Sequence, residues 1–250
     1  MKRSLLSIFL ALLFIHCEKP LDCVKSSGPM KSKLYTGLSF TKVLVNQGVS
    51  VVITQGDDYL VEVRSGENLI NDIEVTVSGD RLTLSDNTTC NWVRDYGETT
   101  VYITAPNLTD IYSKTGLDIR SNGTLTYDSL HLTALDSNDG FSGTGTGDFY
   151  LTVANNNLVY ENNEMGRCFV SGTTQNLQVS FYEGGGVFHG ENLEAYHVGF
   201  YHRGSNDMFV KPTHSLSGHL YSLGNVNCYS RPPTENVQVV QHYRGRLIYR

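Results

Sequence analysis

The sequence is poor in charge and in proline. Asp, Glu, Lys and Arg make up 18% of the 250 residues, and there are 6 prolines and 1 tryptophan. Long amphipathic helices normally carry more glutamate and lysine, so this composition argues against a helical protein. The 24 glycines and 15 tyrosines, in a background rich in Ser, Thr and Asn, are instead typical of an all-β protein with many turns.

Several kinds of functional motif are also missing. The net charge is −6 and the sequence shows no basic cluster, which argues against nucleic acid or an anionic membrane surface as a partner. No Gly-x-Ser-x-Gly, His-Glu-x-x-His or Cys-x-x-Cys motif occurs. We therefore predict no catalytic residues, no metal site and no cofactor.

Only one hydrophobic run is long, and it lies at the N-terminus. Lys2 and Arg3 precede an apolar stretch over residues 5–15, the arrangement of an export signal that is too short to span a bilayer comfortably. Cys17 follows as in a bacterial lipoprotein signal, although His16 stands where a small residue is usual. We expect lipidation of Cys17 and attachment to a membrane, with the outer membrane as the expected location; ordinary secretion is the alternative.

A loose repeat organises the second half of the chain. A Leu or Val returns about every 21 residues, at Leu108, Leu130, Leu158, Leu177, Leu193, Leu216 and Val237. Each copy continues with alternating residues, a Gly-rich corner and a second short apolar run, such as Gly186-Val187-Phe188. A strand-like period near 20 predicts coils stacked into a β-solenoid.

The pattern divides the chain into three parts. Residues 1–17 form the signal peptide with its lipidation Cys, residues 18–35 form a tether, and residues 36–250 form the β-solenoid domain. Regular coils cover about 106–250, whereas the runs in about 36–105 are shorter and closer together. We expect this N-terminal β part to pack on the solenoid; the alternative is that it forms the narrower first coils.

The cysteine count fits an exported lipoprotein. Five cysteines are an odd number for a secreted chain, and lipidation of Cys17 leaves four. Cys23 lies just beyond the lipidation site and Cys90 lies in a polar loop, and an oxidising compartment would favour a bond between them. We therefore expect a Cys23–Cys90 disulfide.

Cys168 and Cys228 are predicted to be free thiols. In the repeat they take positions similar to Phe188 and Phe209, which places them about three coils, or roughly 14 Å, apart. That separation exceeds the roughly 7 Å limit for a disulfide. Both are expected to be buried and to act as small hydrophobic residues.

Four segments carry a resemblance to a known family. They are Val49-Ser50-Val51-Val52-Ile53-Thr54-Gln55-Gly56, Glu67-Asn68-Leu69-Ile70, Arg81-Leu82-Thr83-Leu84 and Thr104-Ala105-Pro106-Asn107-Leu108. In this order they resemble the putative auto-transporter adhesin, head GIN domain family, over about residues 43–250. The resemblance implies an exported, often lipid-anchored protein of Gram-negative bacteria with a right-handed parallel β-helix-like fold. It implies no catalytic residues, and "adhesin" is itself a label attached to the fold.

Two patterns suggest chemistry but have simpler explanations. The segment 143–147, Gly-Thr-Gly-Thr-Gly, could cradle a phosphate, but a strand rather than a helix is predicted to follow it, so a coil corner is favoured. In the second pattern, alternation places Tyr196, Val198 and Phe200 on one strand face and His197 on the other. A surface strand with outward histidines is favoured over a metal site, although His189, His202 and His219 could bring further imidazoles near.

An enzyme remains the alternative to a binding module. Polysaccharide lyases and hydrolases with a parallel β-helix place acids and a basic residue along one groove. The residues available for such a groove are Asp128, Asp136, Asp139, Asp148, Arg167 and Arg203. Because Asp residues habitually close turns, turn capping is favoured over a carbohydrate-active enzyme of this kind.

Tyrosines in the last coils give the remaining functional hypothesis. Tyr196 and Tyr201 could stack on a sugar or a peptide, although ladders that stabilise the sheet are the favoured explanation. We predict a surface-anchored, non-catalytic, adhesin-like module that contacts the membrane through its lipid and binds a glycan or a cell-surface protein. The ligand, the membrane face and the oligomeric state stay open.

Overall fold

The computed structural model describes residues 25–88, 97 and 99–250. Strands dominate these residues, which contain one short 3₁₀ helix at Thr234–Asn236 and no α-helix. No helix in this part of the chain is long and apolar enough to cross a membrane. The prediction of an all-β protein is confirmed.

The strands are β1 (Met30–Tyr35), β2 (Lys42–Val45), β3 (Val49–Gln55), β4 (Leu60–Gly66), β5 (Ile73–Ser78), β6 (Arg81–Asp86), β7 (Thr99–Ala105), β8 (Asp110–Ser113), β9 (Ile119–Leu125), β10 (Ser129–Ala134), β11 (Ser137–Asn138), β12 (Phe141–Ser142), β13 (Phe149–Asn162), β14 (Arg167–Phe181), β15 (Val187–His202), β16 (Met208–Leu220), β17 (Val226–Cys228), β18 (Val237–Gln241) and β19 (Leu247–Tyr249).

Seventeen of these strands form one curled, mostly parallel sheet, and β11 and β12 form a separate hairpin. The two halves of β13 and of β16 have different neighbours, whereas β14 and β15 pair with the adjacent long strands along both halves. The first halves of the long strands belong to one continuous ladder that we call sheet I. Its other strands are β1, β4, β7, β3, β9, β17 and β19. The second halves belong to another continuous ladder that we call sheet II. Its other strands are β5, β6, β2, β8, β10 and β18.

Sheets I and II face each other across a single hydrophobic core. Every second residue of β7 is buried, which is the period of a half-buried strand. The inward side chains of both sheets belong to one cluster. At its centre the ring of Tyr160, from sheet II, lies 6.1 Å from Phe149 and 5.8 Å from Phe188 of sheet I, measured between centroids.

Glycines lie where neighbouring coils come closest. A Cβ on Gly172, whose φ is +107°, would stand 2.0 Å from the carbonyl oxygen of Val153 on the preceding coil. At the other corner, a Cβ on Gly245 would stand 2.2 Å from the carbonyl oxygen of Gly224. Only glycine permits these approaches, and this explains the glycine-rich corners of the sequence.

The N-terminal strands extend the sheets rather than pack on them. β2 lies between β6 and β8 in sheet II, and β3 lies between β7 and β9 in sheet I. The expectation of a β part packed on the coils is therefore wrong: these strands belong to the same two sheets, in which β4–β7 and β5–β6 pair antiparallel. The reason is that β8 and β9 complete the hydrogen bonding of β2 and β3, which leaves no separate sheet to pack.

Two predicted repeat positions are out of register. His131 pairs with Asp110, which places Leu130 opposite Thr109 rather than Leu108. Leu158 pairs with Leu177, and Leu177 pairs with Val198, so the predicted repeat position Leu193 is wrong. Leu193 instead lies opposite Gly172 in sheet I. The ladder between β15 and β16 breaks between His189 and Glu194, because β15 holds extra residues there. Such bulges shift the register without any change in the alternating composition that the sequence displays.

Candidate functional site

A row of stacked aromatic rings runs along the outer face of sheet I. Tyr150, Phe169, His189 and Phe209 occupy paired positions on four successive coils. Their ring centroids are 4.8, 4.4 and 4.9 Å apart, and the planes lie within 6° of parallel. The guanidinium carbon of Arg120 lies 3.9 Å from the Tyr150 centroid and covers the end of the row. We call these four residues the aromatic ladder.

The aromatic ladder borders a shallow groove of about 290 Å³. The groove forms where bulges interrupt the pairing of three successive coils, after Tyr150, after Phe169 and after His189. Bulges are common beside functional sites because they redirect side chains out of the regular pleat. The polar residues lining the groove are Ser121, Thr152, Ser171, Glu191 and Asn192.

Hydrogen bonds fix most of the polar groups of this groove. The Thr152 backbone N–H donates to Ser121 Oγ at 2.9 Å, and the hydroxyls of Thr152 and Ser171 are 3.1 Å apart. His189 Nδ1 lies 3.2 Å from Oε1 of Glu191. The other carboxylate oxygen, Glu191 Oε2, is shielded from solvent and has no hydrogen-bond partner among the described residues. A buried acceptor without a partner is costly and points to an absent donor.

The two tyrosines predicted to stack on a ligand lie in separate clusters. Tyr196 is 41% exposed, and one face of its ring is stacked on His214 at 4.5 Å. Tyr201 lies between Tyr182 and Tyr221, with centroids 5.8 and 5.0 Å away. The structure therefore does not join Tyr196 and Tyr201 into one surface.

The face predicted for Tyr196 is wrong. Val198 and Phe200 are buried, as expected, whereas Tyr196 is exposed. The ladder between β15 and β16 shifts between Ala195 and His197. This shift lies where the chain passes from sheet I to sheet II, so the alternation does not continue through it.

The sequence profile of the family described as "Putative auto-transporter adhesin, head GIN domain" matches residues 39–232. The chain belongs to this family. The predicted resemblance is thereby confirmed. Among curated proteins, none matches this sequence.

Crystal structures of three other bacterial proteins share the fold at low sequence identity. A putative adhesin from Bacteroides fragilis NCTC 9343 is 19% identical with a TM-score of 0.78, over 90% of this chain and 100% of that one. A putative adhesin from Parabacteroides distasonis ATCC 8503 is 15% identical with a TM-score of 0.65, over 90% and 99%. A putative lipid binding protein from the same organism is 12% identical with a TM-score of 0.62, over 90% and 100%. At such identities the similarity establishes the fold alone.

The glycine-rich segment 143–147 has a structural role in this fold. β13 follows it, as predicted, so no helix N-terminus is present to hold a phosphate. The buried ammonium group of Lys114 donates to the carbonyl oxygens of Leu135, Asp136 and Gly143 at 2.7 to 2.9 Å. Burial lowers the pKa of Lys114. These bonds hold the loop that carries β11 and β12 against β8.

The acids of the alternative enzyme hypothesis each have a separate partner. Asp148 accepts hydrogen bonds from the Arg167 guanidinium at 2.5 and 3.0 Å. Burial alone would raise the pKa of Asp148, but the bonds from Arg167 outweigh it and lower that pKa. Asp136 binds the Asn163 amide at 2.7 Å, and Asp139 pairs with Arg81 at 3.1 Å. Asp128 accepts a hydrogen bond from the Asn156 amide. The described part of the chain contains no cluster of three or more potential metal ligands.

Histidines form two arrangements that the sequence did not indicate. His202 is 1% exposed and lies beside Phe181, and its burial lowers its pKa to about 4. His131 lies between two acids on sheet II, with Nε2 2.8 Å from Glu161 and Nδ1 3.6 Å from Asp110. The hydrogen bond to Glu161 raises the pKa of His131, whereas burial raises the pKa of Asp110.

The cysteines fall into two groups. Cys17, Cys23 and Cys90 lie outside the described residues, so the predicted lipidation and disulfide stay predictions. Cys168 and Cys228 are buried free thiols, which confirms that prediction. Cys168 pairs with Phe188 as expected, but Cys228 pairs with Val210 rather than with Phe209.

A sequence signal for the aromatic ladder did exist. Each ladder residue directly follows an inward residue near the start of its strand, as in Phe149-Tyr150 and Phe188-His189. The ladder residues recur about 20 residues apart, in step with the coils. Glu191 and Asn192 gave no such signal, because a bulge places them in the groove.

Proposed function

We propose that this protein is a non-catalytic, adhesin-like binding module of the cell envelope, with the groove beside the aromatic ladder as its ligand site. Glu191 carries the proposal, since its side chain lines the groove, is 31% exposed and leaves Oε2 without a donor. A bound hydroxyl or amide would supply that donor once the carboxylate turns towards the groove, because Oε2 is shielded from solvent in the unbound protein. Membership of the head GIN domain family supports an adhesin-like role at the cell surface or envelope.

The finer fold assignment belongs to the same proposal. We infer a right-handed parallel β-helix-like solenoid, in which successive coils are about 20 residues apart. Parallel pairing from β13 through β16 and the glycine corners support it. A solenoid offers a long, even face that suits an extended ligand.

The chemistry of the groove favours a glycan over an apolar ligand. Its polar lining consists of hydroxyls, an amide and a carboxylate, which match the alternating donors and acceptors of a sugar. The ladder rings already cover one another, so the groove side chains rather than the ring faces would make the specific contacts. A cell-surface protein is the second class of partner.

We expect substitutions in the groove to weaken glycan binding. Glu191→Gln, which replaces a charged acceptor, should weaken binding about tenfold, and Asn192→Ala should weaken it about fivefold. Asn71→Ala is the matched control, because Asn71 is exposed in the turn before β5 and lies outside the groove. A glycan array with the purified protein, followed by calorimetry on the strongest glycan, gives the affinities. If Glu191→Gln and Asn192→Ala bind like the wild type, the groove is not the site.

The rival activity can be tested on the same samples. Incubation of the protein with polyuronates and other polysaccharides, with and without Ca²⁺, should leave the length of the polysaccharide chains unchanged. Cleavage that disappears in Asp136→Asn, Asp139→Asn or Asp148→Asn would establish an enzyme instead. Glu161→Gln belongs in the same set, because Glu161 and Asp110 have pKa values shifted in opposite directions, as in paired catalytic acids.

Anchoring is tested separately from binding. If Cys17 carries a lipid, Cys17→Ala should move the protein from the membrane fraction to the soluble fraction or block its maturation, because one side chain attaches the whole module. Cys168→Ala is the matched control, since Cys168 is buried in the core. Fractionation with detection by immunoblot measures the distribution. Unchanged partitioning of Cys17→Ala would rule out this anchor.

A further inference from the structure

The last coil has an edge that the described residues leave uncovered. β18 pairs only with β16, and β19 pairs only with β17. The His242 N–H donates to Leu220, so the alternation of backbone groups directs the N–H and C=O of Val239 and Gln241 to the open side. The N–H of Val237 already donates to the carbonyl oxygen of Thr234. Val239 and Leu247 pack against the core but remain partly exposed.

The sequence of this edge differs from that of the other two outer strands. β1 contains Lys31 and Lys33, and β5 contains Glu74, which are charges of the kind that prevent edge-to-edge pairing. β18 reads Val-Gln-Val-Val-Gln and contains no charge. An uncharged, β-prone edge strand is a ready template for another strand.

Arginines lie beside β19 and in the turn that follows β18, although the sequence shows no continuous basic cluster. The whole chain has 19 basic and 25 acidic residues, yet its last twenty residues contain four arginines and one glutamate. Arg231 lies over the ring of Tyr249 at 5.2 Å, and Arg244 lies over Tyr243 at 5.5 Å. Arg246 and Arg250 flank β19. Among the described residues, none of the four arginines forms a salt bridge with a carboxylate.

We propose that the open edge of β18 binds an extended, acidic segment of another protein by strand addition. The unpaired backbone groups select a polypeptide strand, and the arginines select acidic residues at its ends. A second copy bound through the same end would bring the two sets of arginines together, which like-charge repulsion disfavours. This surface is independent of the groove on sheet I and does not rest on the proposed ligand there.

The test uses a labelled eight-residue peptide, with valine and threonine alternating between two glutamates at each end. Fluorescence anisotropy at low salt should show saturable binding to the full chain. A peptide with lysines in place of the glutamates should bind at least about tenfold more weakly. A peptide with the same charge and prolines at alternate positions should also bind at least about tenfold more weakly, because it cannot extend the ladder.

Substitutions locate the site. Val239→Pro removes an N–H that faces the open edge, and the combination of Arg244→Gln with Arg246→Gln removes two charges, so each variant should lose about tenfold or more in affinity. Arg64→Gln is the matched control, because Arg64 pairs with Glu62 on β4 in a different part of sheet I. Circular dichroism verifies that Val239→Pro is folded. In the wild type, the peptide should slow hydrogen exchange of the Val239 and Gln241 amides.

Several outcomes would overturn the proposal. Equal binding of the proline peptide would show that charge alone attracts it. Unchanged hydrogen exchange at the Val239 and Gln241 amides would place the peptide elsewhere. Dimers in analytical ultracentrifugation that Val239→Pro dissociates would make a second copy the occupant. Binding of heparin or of vesicles containing anionic lipid, without binding of the acidic peptide, would replace a protein partner by a polyanion or a membrane.

Discussion

Replacement of Tyr160 by Ala is expected to lower the free energy of unfolding by about 4 kcal/mol. Tyr160 is fully buried between the rings of Phe149, Phe181 and Phe188. Its hydroxyl accepts a hydrogen bond from the Asn162 amide at 2.6 Å. The substitution therefore opens a cavity where sheets I and II meet and leaves a buried amide with one weaker acceptor, Gly166, at 3.3 Å.

Urea denaturation at neutral pH gives the change in the free energy of unfolding. Tyr160→Phe is the matched control: it keeps the ring and removes one hydrogen bond, so it should cost only about 1 kcal/mol. Similar losses for both variants would show that the hydroxyl, and not the packed ring, dominates. Hydrogen exchange should show that the loss is concentrated in β13 to β15, since coils interact mainly with their neighbours.

The second large effect is a loss of stability in acid that depends on His202. The folded protein holds the pKa of His202 at about 4 through burial, whereas an exposed imidazole titrates near 6.5. Above pH 6.5 the imidazole is neutral in both the folded and the unfolded chain, so the free energy of unfolding has its full value with respect to this group. As the pH falls towards 4, His202 becomes protonated in the unfolded chain but stays neutral in the folded chain. The free energy of unfolding therefore falls by up to about 3 kcal/mol.

His202→Leu should remove this part of the pH dependence. Urea unfolding of the wild type and of His202→Leu at pH 8, 5.5 and 4.5 gives the slope of the free energy of unfolding against pH for each protein. The difference between the two slopes separates the effect of His202 from that of groups that change the stability in the opposite direction. His131 is such a group, because its raised pKa stabilises the folded state as the pH falls through its titration. The control is His242→Asn, at an exposed imidazole. Equal slopes for the wild type and His202→Leu would assign the acid sensitivity to other residues.

Local patterns predicted the strands well but not their neighbours. The short runs recognised in residues 36–105 do form strands: alternation over residues 49–54 corresponds to β3, and residues 78–81 form the turn of the β5–β6 hairpin. The same patterns contain no information on which distant strand supplies the hydrogen bonds. β2 therefore gave no sign that it would lie between β6 and β8. The pairing is decided by burial of both faces across long stretches of chain.

The candidate site was predictable only in part. The spacing of Tyr150, Phe169 and His189 follows the coils and could have indicated the aromatic ladder. The groove depends on irregularities in β13 to β15 that alternation cannot reveal, so Glu191 was missed. The same kind of irregularity made Leu193 resemble a repeat position and placed Tyr196 on the wrong face.

The central position of β2 and β3 has a consequence for the order of folding. Val51 pairs with Val101 on one side and with Ile119 on the other, so this coil is complete only after both later strands have formed. Closing such long loops is slow because their entropy is lost before the contacts form. The later coils pair with neighbours only about 20 residues away, so they can form without waiting for that closure. We therefore expect the early part of the chain to close last: a defect there delays completion of the fold, whereas a defect in a later coil stays local.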